Sequence, residues 1–208
     1  MHHELFIKRL KDIREFRDDD GNVEARKETT VDLIERDGTQ QIRKHWHGGD
    51  WVFSRDYEYC LEKHVYFVGN ERGLPIPNLL DYDDERRILY LEAVEGTTVE
   101  APCSDLSLLP EVVSFQDEYS RIEFPSNLDL EMMSGKAMRK YRTDQLDYLF
   151  GPGEIRDTVH RLYEGFLQNH DTVTIPFDRV LHHVFRTVSG LIFYDFEWTI
   201  ASPYEFTL

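Results

Sequence analysis

Residues 71–96 read Glu71-Arg72-Gly73-Leu74-Pro75-Ile76-Pro77-Asn78-Leu79-Leu80-Asp81-Tyr82-Asp83-Asp84-Glu85-Arg86-Arg87-Ile88-Leu89-Tyr90-Leu91-Glu92-Ala93-Val94-Glu95-Gly96. Pro75 and Pro77 restrict their own backbones and those of the residues before them, which ends a helix and starts an extended segment. The acidic turn Asp83-Asp84-Glu85 separates two short runs, 78–82 and 87–92, and predicts a pair of strands. Just upstream, Ser54 can cap a helix running to about Val68, with Tyr57, Leu61, His64, Val65 and Val68 on one face.

Working outward, Asp37-Gly38 is a tight hairpin signal. It joins an extended stretch over 23–35 to a return strand over 39–46, which His47-Gly48-Gly49-Asp50 breaks. Asp18 to Asn22 is turn chemistry. Residues 2–17 place Phe6, Leu10 and Ile13 at helical spacing and predict a short helix. Beyond Gly96 the pattern becomes helical: 106–122 with an interruption near Pro110, a polar helix over 131–150, and 154–169. In the last, Ile155, Val159, Leu162, Tyr163, Phe166 and Leu167 form one stripe. Two extended pieces close the chain, 179–185 and 191–194, divided by Val188-Ser189-Gly190. This order predicts an α+β, two-lobed domain: a strand-rich lobe with one helix over 1–96, and a small, mainly helical lobe over 97–208 that ends in a hairpin.

The chain has 208 residues, of which 40% are hydrophobic and 13% aromatic, enough to bury a core. Its formal net charge of -16 argues against a nucleic-acid backbone as partner, which needs clustered Lys and Arg. No apolar run reaches the roughly 20 residues that span a membrane, and the first residues lack the pattern of a secretory signal. Cys60 and Cys103 form neither a metal-binding nor a redox spacing. A cytoplasmic protein with reduced thiols is expected.

Chemistry-bearing residues fall in a definite order. Lys44 lies in the return strand, and Glu58 and Glu62 follow on the capped helix. Near the end, Leu191-Ile192-Phe193-Tyr194 runs straight into Asp195, followed by Phe196, Glu197 and Trp198. A carboxylate at the end of an apolar strand is placed to hold a hard cation. This ordered set resembles the kinase-like fold of aminoglycoside phosphotransferases and lipopolysaccharide-sugar kinases. In that group "G-L-P-V-P" precedes a strand and a second strand ends in "E-x-x-x-G". The late segment is similar to the "D-F-E" of choline- and aminoglycoside-kinase relatives. It is also similar to the "D-x-E-W" of kinase-like domains attached to bacterial polysaccharide methyltransferases.

The resemblance implies an ATP- and Mg2+-dependent phosphotransferase acting on a hydroxyl of a small molecule or glycan. It implies that Lys44 grips phosphate, Glu58 orients Lys44, and Glu92, Ala93 and Val94 form the hinge that meets the adenine. Asp195 would bind the metal, with Glu197 assisting. The chain departs from the group at its catalytic loop, Val180-Leu181-His182-His183-Val184-Phe185-Arg186-Thr187. His182 matches the motif histidine, but Val184 stands where the catalytic Asp belongs, and no Asn follows. His183, or His182, is then the candidate base, since imidazole titrates near neutrality. The lost Asp equally favours a non-catalytic kinase-like module that binds nucleotide or a partner protein, and the chain can also be one part of a larger enzyme. A third reading rests on His45 and His47, two imidazoles on one strand face with Asp50 following, as in a metal-dependent hydrolase or cupin-like protein.

Overall fold

The computed structural model of the chain describes residues 4–5, 10–17, 23–48, 54–99, 105–128, 153–154, 157–158, 161, 172–176, 183–196 and 199–203. These form a mixed, strand-rich structure with two helices of more than one turn among the described residues. The strands are β1 (Glu4–Leu5), β2 (Leu10–Arg17), β3 (Val23–Arg36), β4 (Thr39–Gly48), β5 (Leu79–Asp83), β6 (Ile88–Glu92) and β7 (Glu95–Thr98). Four more follow: β8 (Thr172–Pro176), β9 (Val184–Thr187), β10 (Gly190–Phe193) and β11 (Thr199–Pro203). Helix α1 spans Arg55–Arg72, and α2 spans Leu109–Tyr119 after a single tight turn at Leu106–Leu108.

The largest sheet has the order β2-β3-β4-β6-β5, with every neighbouring pair antiparallel. Its centre is the β3–β4 hairpin. Asp37 (φ 54°) and Gly38 (φ 75°) both adopt left-handed backbone, the two-residue turn whose twist matches that of paired strands. This sets the register Arg36↔Thr39 through Lys27↔Gly48. Successive side chains of β4 alternate between faces, so Ile42, Lys44 and Trp46 are buried on one side while Arg43, His45 and His47 are half-buried on the other.

Helix α1 begins where the sequence predicts: Ser54 Oγ accepts the Tyr57 N–H at 3.1 Å. It ends at Gly73 in left-handed backbone (φ 72°), with the Leu74 N–H returning to the Gly69 carbonyl at 2.9 Å. Its inner face, however, is turned relative to the expected apolar stripe. Arg55, Glu58, Tyr59, Leu61, Glu62, Val65, Tyr66 and Gly69 are buried, while Tyr57, His64 and Val68 are only half-buried. The rotation follows from what β4 presents: a buried lysine beside a buried tryptophan is satisfied by carboxylates and tyrosines, not by aliphatics alone.

The chain leaves this sheet at Glu92 and joins the next at Glu95, so only Ala93 and Val94 connect them. The second sheet has the order β1-β7-β9-β10. Gly96 sits inside β7, and a Cβ there would lie 2.6 Å from the Arg186 carbonyl, so this strand contact requires glycine. Helix α2 carries Pro110 in its first turn, where the missing N–H costs nothing. It packs an aromatic stack against the late hairpin: Phe115 lies parallel to Phe193 with centroids 3.9 Å apart. Phe196 meets Tyr119 and Tyr66, each at 5.5 Å. The Glu111 carboxylate accepts the Leu191 N–H at 2.9 Å.

One expected element is overturned. Residues 10–17 form a strand, not part of a helix, paired from Leu10↔Val31 to Arg17↔Val23. Three apolar residues at helical spacing make a thin stripe. The long β3 also offers an open edge whose backbone groups need partners. The turn predicted at 18–22 and the helix over 131–150 fall outside the described residues. Of the helix over 154–169, the described part includes the Asp157 N–H bonded to the Gly153 carbonyl at 3.1 Å, one helical turn back.

Candidate functional site

Lys44 projects from the inner face of β4 between Ile42 and Trp46, where alternation demands an apolar residue. Its side chain is 8% exposed. Burying an ammonium there costs several kcal/mol unless it is paired. Two carboxylates supply the pairing: Glu62 Oε2 at 2.7 Å and Asp195 Oδ1 at 2.6 Å. The Nζ atom also lies 5.0 Å from the centroid of the Trp46 ring, within reach of its electron-rich face.

The two carboxylates differ in setting. Glu62 is fully buried, carried by α1 one turn beyond Glu58. Asp195 is 29% exposed and lies two residues past the end of β10. Its backbone is left-handed, φ 68°, a conformation that costs a non-glycine residue about 1–3 kcal/mol and clusters at functional positions. Its second oxygen, Oδ2, lies 3.3 Å from His183 Nε2. The antiparallel ladder of β9 and β10 supports that contact: one residue beyond the Phe193↔Val184 pair, the Tyr194 N–H donates to the His183 carbonyl at 3.2 Å. Two phenols line the cluster. Burial, reinforced by the Glu62 carboxylate, pushes Tyr66 well above the ordinary tyrosine range. Burial, reinforced by Asp195, likewise raises Tyr194. Both therefore stay protonated.

The structure thus brings together three of the sequence-predicted residues, Lys44, Asp195 and His183. The α1 carboxylate 2.7 Å from the lysine amine is Glu62, and Glu58, one turn earlier, receives the buried guanidinium of Arg55, whose other arm donates to Thr29 Oγ1 at 2.5 Å. The signal for Glu62 was its place on the helix face that also holds Tyr59 and Tyr66. Glu92, Ala93 and Val94 occupy the crossover between the two sheets. There the Glu92 N–H donates to the Asn78 carbonyl at 2.9 Å and its carboxylate accepts from Asn78 Nδ2 at 2.6 Å. His182 and Glu197 lie outside the described residues. Val184 opens β9, buried in the core, with its carbonyl accepting the Val99 N–H at 3.0 Å.

One ammonium between two carboxylates leaves the trio with formal charge -1. That donor set suits a cation bound at the more exposed Asp195. Among the described residues no group of three or more His, Cys, Asp or Glu side chains is arranged to hold a metal. Magnesium commonly takes only one or two carboxylates and draws its remaining ligands from phosphate and water, so Asp195 fits that role. Among the described residues no helix is long and apolar enough to cross a membrane.

No family model and no curated protein matches the chain. Among solved structures it is similar to a choline kinase from Cryptosporidium parvum Iowa II, at 13% identity and a TM-score of 0.45. The alignment covers 92% of this chain and 59% of that one.

Proposed function

We propose that the protein is a two-lobed, kinase-like phosphotransferase that moves a phosphoryl group from ATP to a hydroxyl of a small molecule or glycan. The observation that carries this reading is the Lys44 amine held between Glu62 of α1 and Asp195 of the late hairpin. A strand lysine, a helix carboxylate and a second carboxylate from a distant strand end are the parts that phosphoryl transfer asks of a protein. Mg2+ and ATP supply the transferable group and the neutralising charge. Lys44 grips the phosphate oxygens, and Glu62 fixes its position. Asp195 would hold the Mg2+ ion, which would supply positive charge against the phosphate oxygens. His183, beside Asp195, accepts the proton as the acceptor oxygen bonds to phosphorus and the bridging oxygen leaves with ADP. Glu197 and His182 are further candidates for metal ligation and proton transfer, and Glu92–Val94 for the adenine contact. In this reading residues 1–96 and 97–208 are the two lobes.

The test is phosphoryl transfer and ATP turnover with Mg2+, comparing wild type with Asp195→Asn and His183→Ala. Turnover lost in both, with folding retained, supports the enzyme. A second reading has its own observation: Val184, in place of the expected carboxylate, is packed into the core and has no group for the acceptor. A non-catalytic nucleotide-binding module would gain thermal stability from ATP and Mg2+ without turnover. Absence of both turnover and stabilisation defeats the nucleotide site altogether.

A further inference from the structure

The outer face of β4, opposite Lys44, carries a feature that the nucleotide reading does not use. His45 and His47 lean together, with ring centroids 3.3 Å apart and planes tilted by 46°. Each ring is also tied to its surroundings. His47 Nε2 lies 3.0 Å from Thr30 Oγ1 on β3, and the His45 ring is hydrogen-bonded to the backbone of Arg86. Two guanidinium groups lie nearby, Arg43 paired with Asp32 at 2.6 Å and Arg87 with Asp56 at 3.4 Å.

We propose that His45 and His47 form a two-imidazole site for a divalent transition metal of the zinc type. Imidazole nitrogen prefers Zn2+, Co2+, Ni2+ and Cu2+ over Mg2+, so this site and an Mg2+ site at Asp195 would take different ions. Two imidazoles at i and i+2 share one face of a strand, and here the strand is the centre of a five-stranded sheet, a rigid mount. Thr30 Oγ1 and the Arg86 backbone are polar groups beside the rings, available as outer hydrogen-bond partners once the rings have turned to an ion. Zn–N bonds of about 2.0–2.1 Å require the rings to open around the ion. Side-chain rotation provides this, because both residues are only half-buried. The chain's formal charge of -16 favours cations at its surface. With two protein ligands, the remaining positions go to water or to an outside ligand, so the ion is exchangeable rather than structural.

The experiment is a calorimetric titration of the full chain with Zn2+, and with Co2+ as a spectroscopic probe, in a His2→Ala/His3→Ala background that removes the histidine pair at the start of the sequence. One equivalent should bind, weakened at least about tenfold by His45→Ala and, separately, by His47→Ala. His64→Ala should leave affinity unchanged, excess Mg2+ should not compete, and circular dichroism should show all variants folded. Binding weakened by one β4 substitution alone, or by neither, or no binding at all, overturns the pair. None of these results depends on whether the protein turns over ATP.

Discussion

The two sides of the Lys44 contact are built differently. On one side, Lys44 and Glu62 are 18 residues apart in sequence and both buried. The strand is central to its sheet, and the helix is capped at both ends. On the other side, Asp195 is separated from Lys44 by 151 residues. It sits in left-handed backbone, partly exposed, and is held by an aromatic stack and by the Phe193 N–H to the Pro75 carbonyl at 2.9 Å. The difference teaches a division of labour. A buried ion pair cannot change partners cheaply, so Glu62 fixes the lysine. A partly exposed carboxylate keeps access to water and to cations, so Asp195 is the member of the trio able to exchange.

The largest expected effect tests this asymmetry directly. Lys44→Ala leaves Glu62 buried without its ammonium and should cost about 3–5 kcal/mol in urea unfolding. Asp195→Gly removes a partly exposed charge while relieving backbone strain, and should cost much less. Equal losses would break the comparison. Next in size, Gly96→Ala forces a methyl group against the Arg186 carbonyl and should cost roughly 1–3 kcal/mol. Hydrogen exchange would sharpen the contrast: protection should fall in β9 and β10 and persist in β3 and β4.

The smallest effect lies on the rim of the large sheet. The Lys63 ammonium and then the Tyr59 hydroxyl hold the Asp84 carboxyl below its ordinary value of 3.8. A lowered carboxyl stabilises the fold fully above that ordinary value and loses the contribution as pH falls through the lower, folded one. Asp84→Asn should therefore cost roughly 0.2–1 kcal/mol near neutrality. The gap between variant and wild type should close as pH falls below the lowered, folded value, as read from denaturant midpoints. A gap that widens in acid would contradict the assignment.

Much of the large sheet was legible because its signals are local. Asp37-Gly38 demands a left-handed turn, Ser54 caps a helix, and Pro75 and Pro77 enforce extension. Each acts within a few residues, whatever lies elsewhere. The strand over 10–17 was not legible, because a strand exists only by virtue of the edge that receives it. The place of Glu62 beside Lys44 was hidden for a related reason. Glu58 and Glu62 are acidic residues on one helix, and only the rotation of that helix against β4 decides how each is set toward the lysine. That rotation depends on Tyr59, Tyr66 and the buried Arg55, whose contacts reach other parts of the chain.

By itself the sequence determined the hairpin, the cap, the proline-bounded segment, and the presence of a lysine on a strand and a late aspartate just past a strand end. Backbone sterics and short-range hydrogen bonding suffice for these. Tertiary packing alone decided that Lys44, Glu62, Asp195 and His183 share one place. Burial of an ammonium makes sense only when distant carboxylates arrive together, and their arrival is set by how the aromatic stack seats the last hairpin.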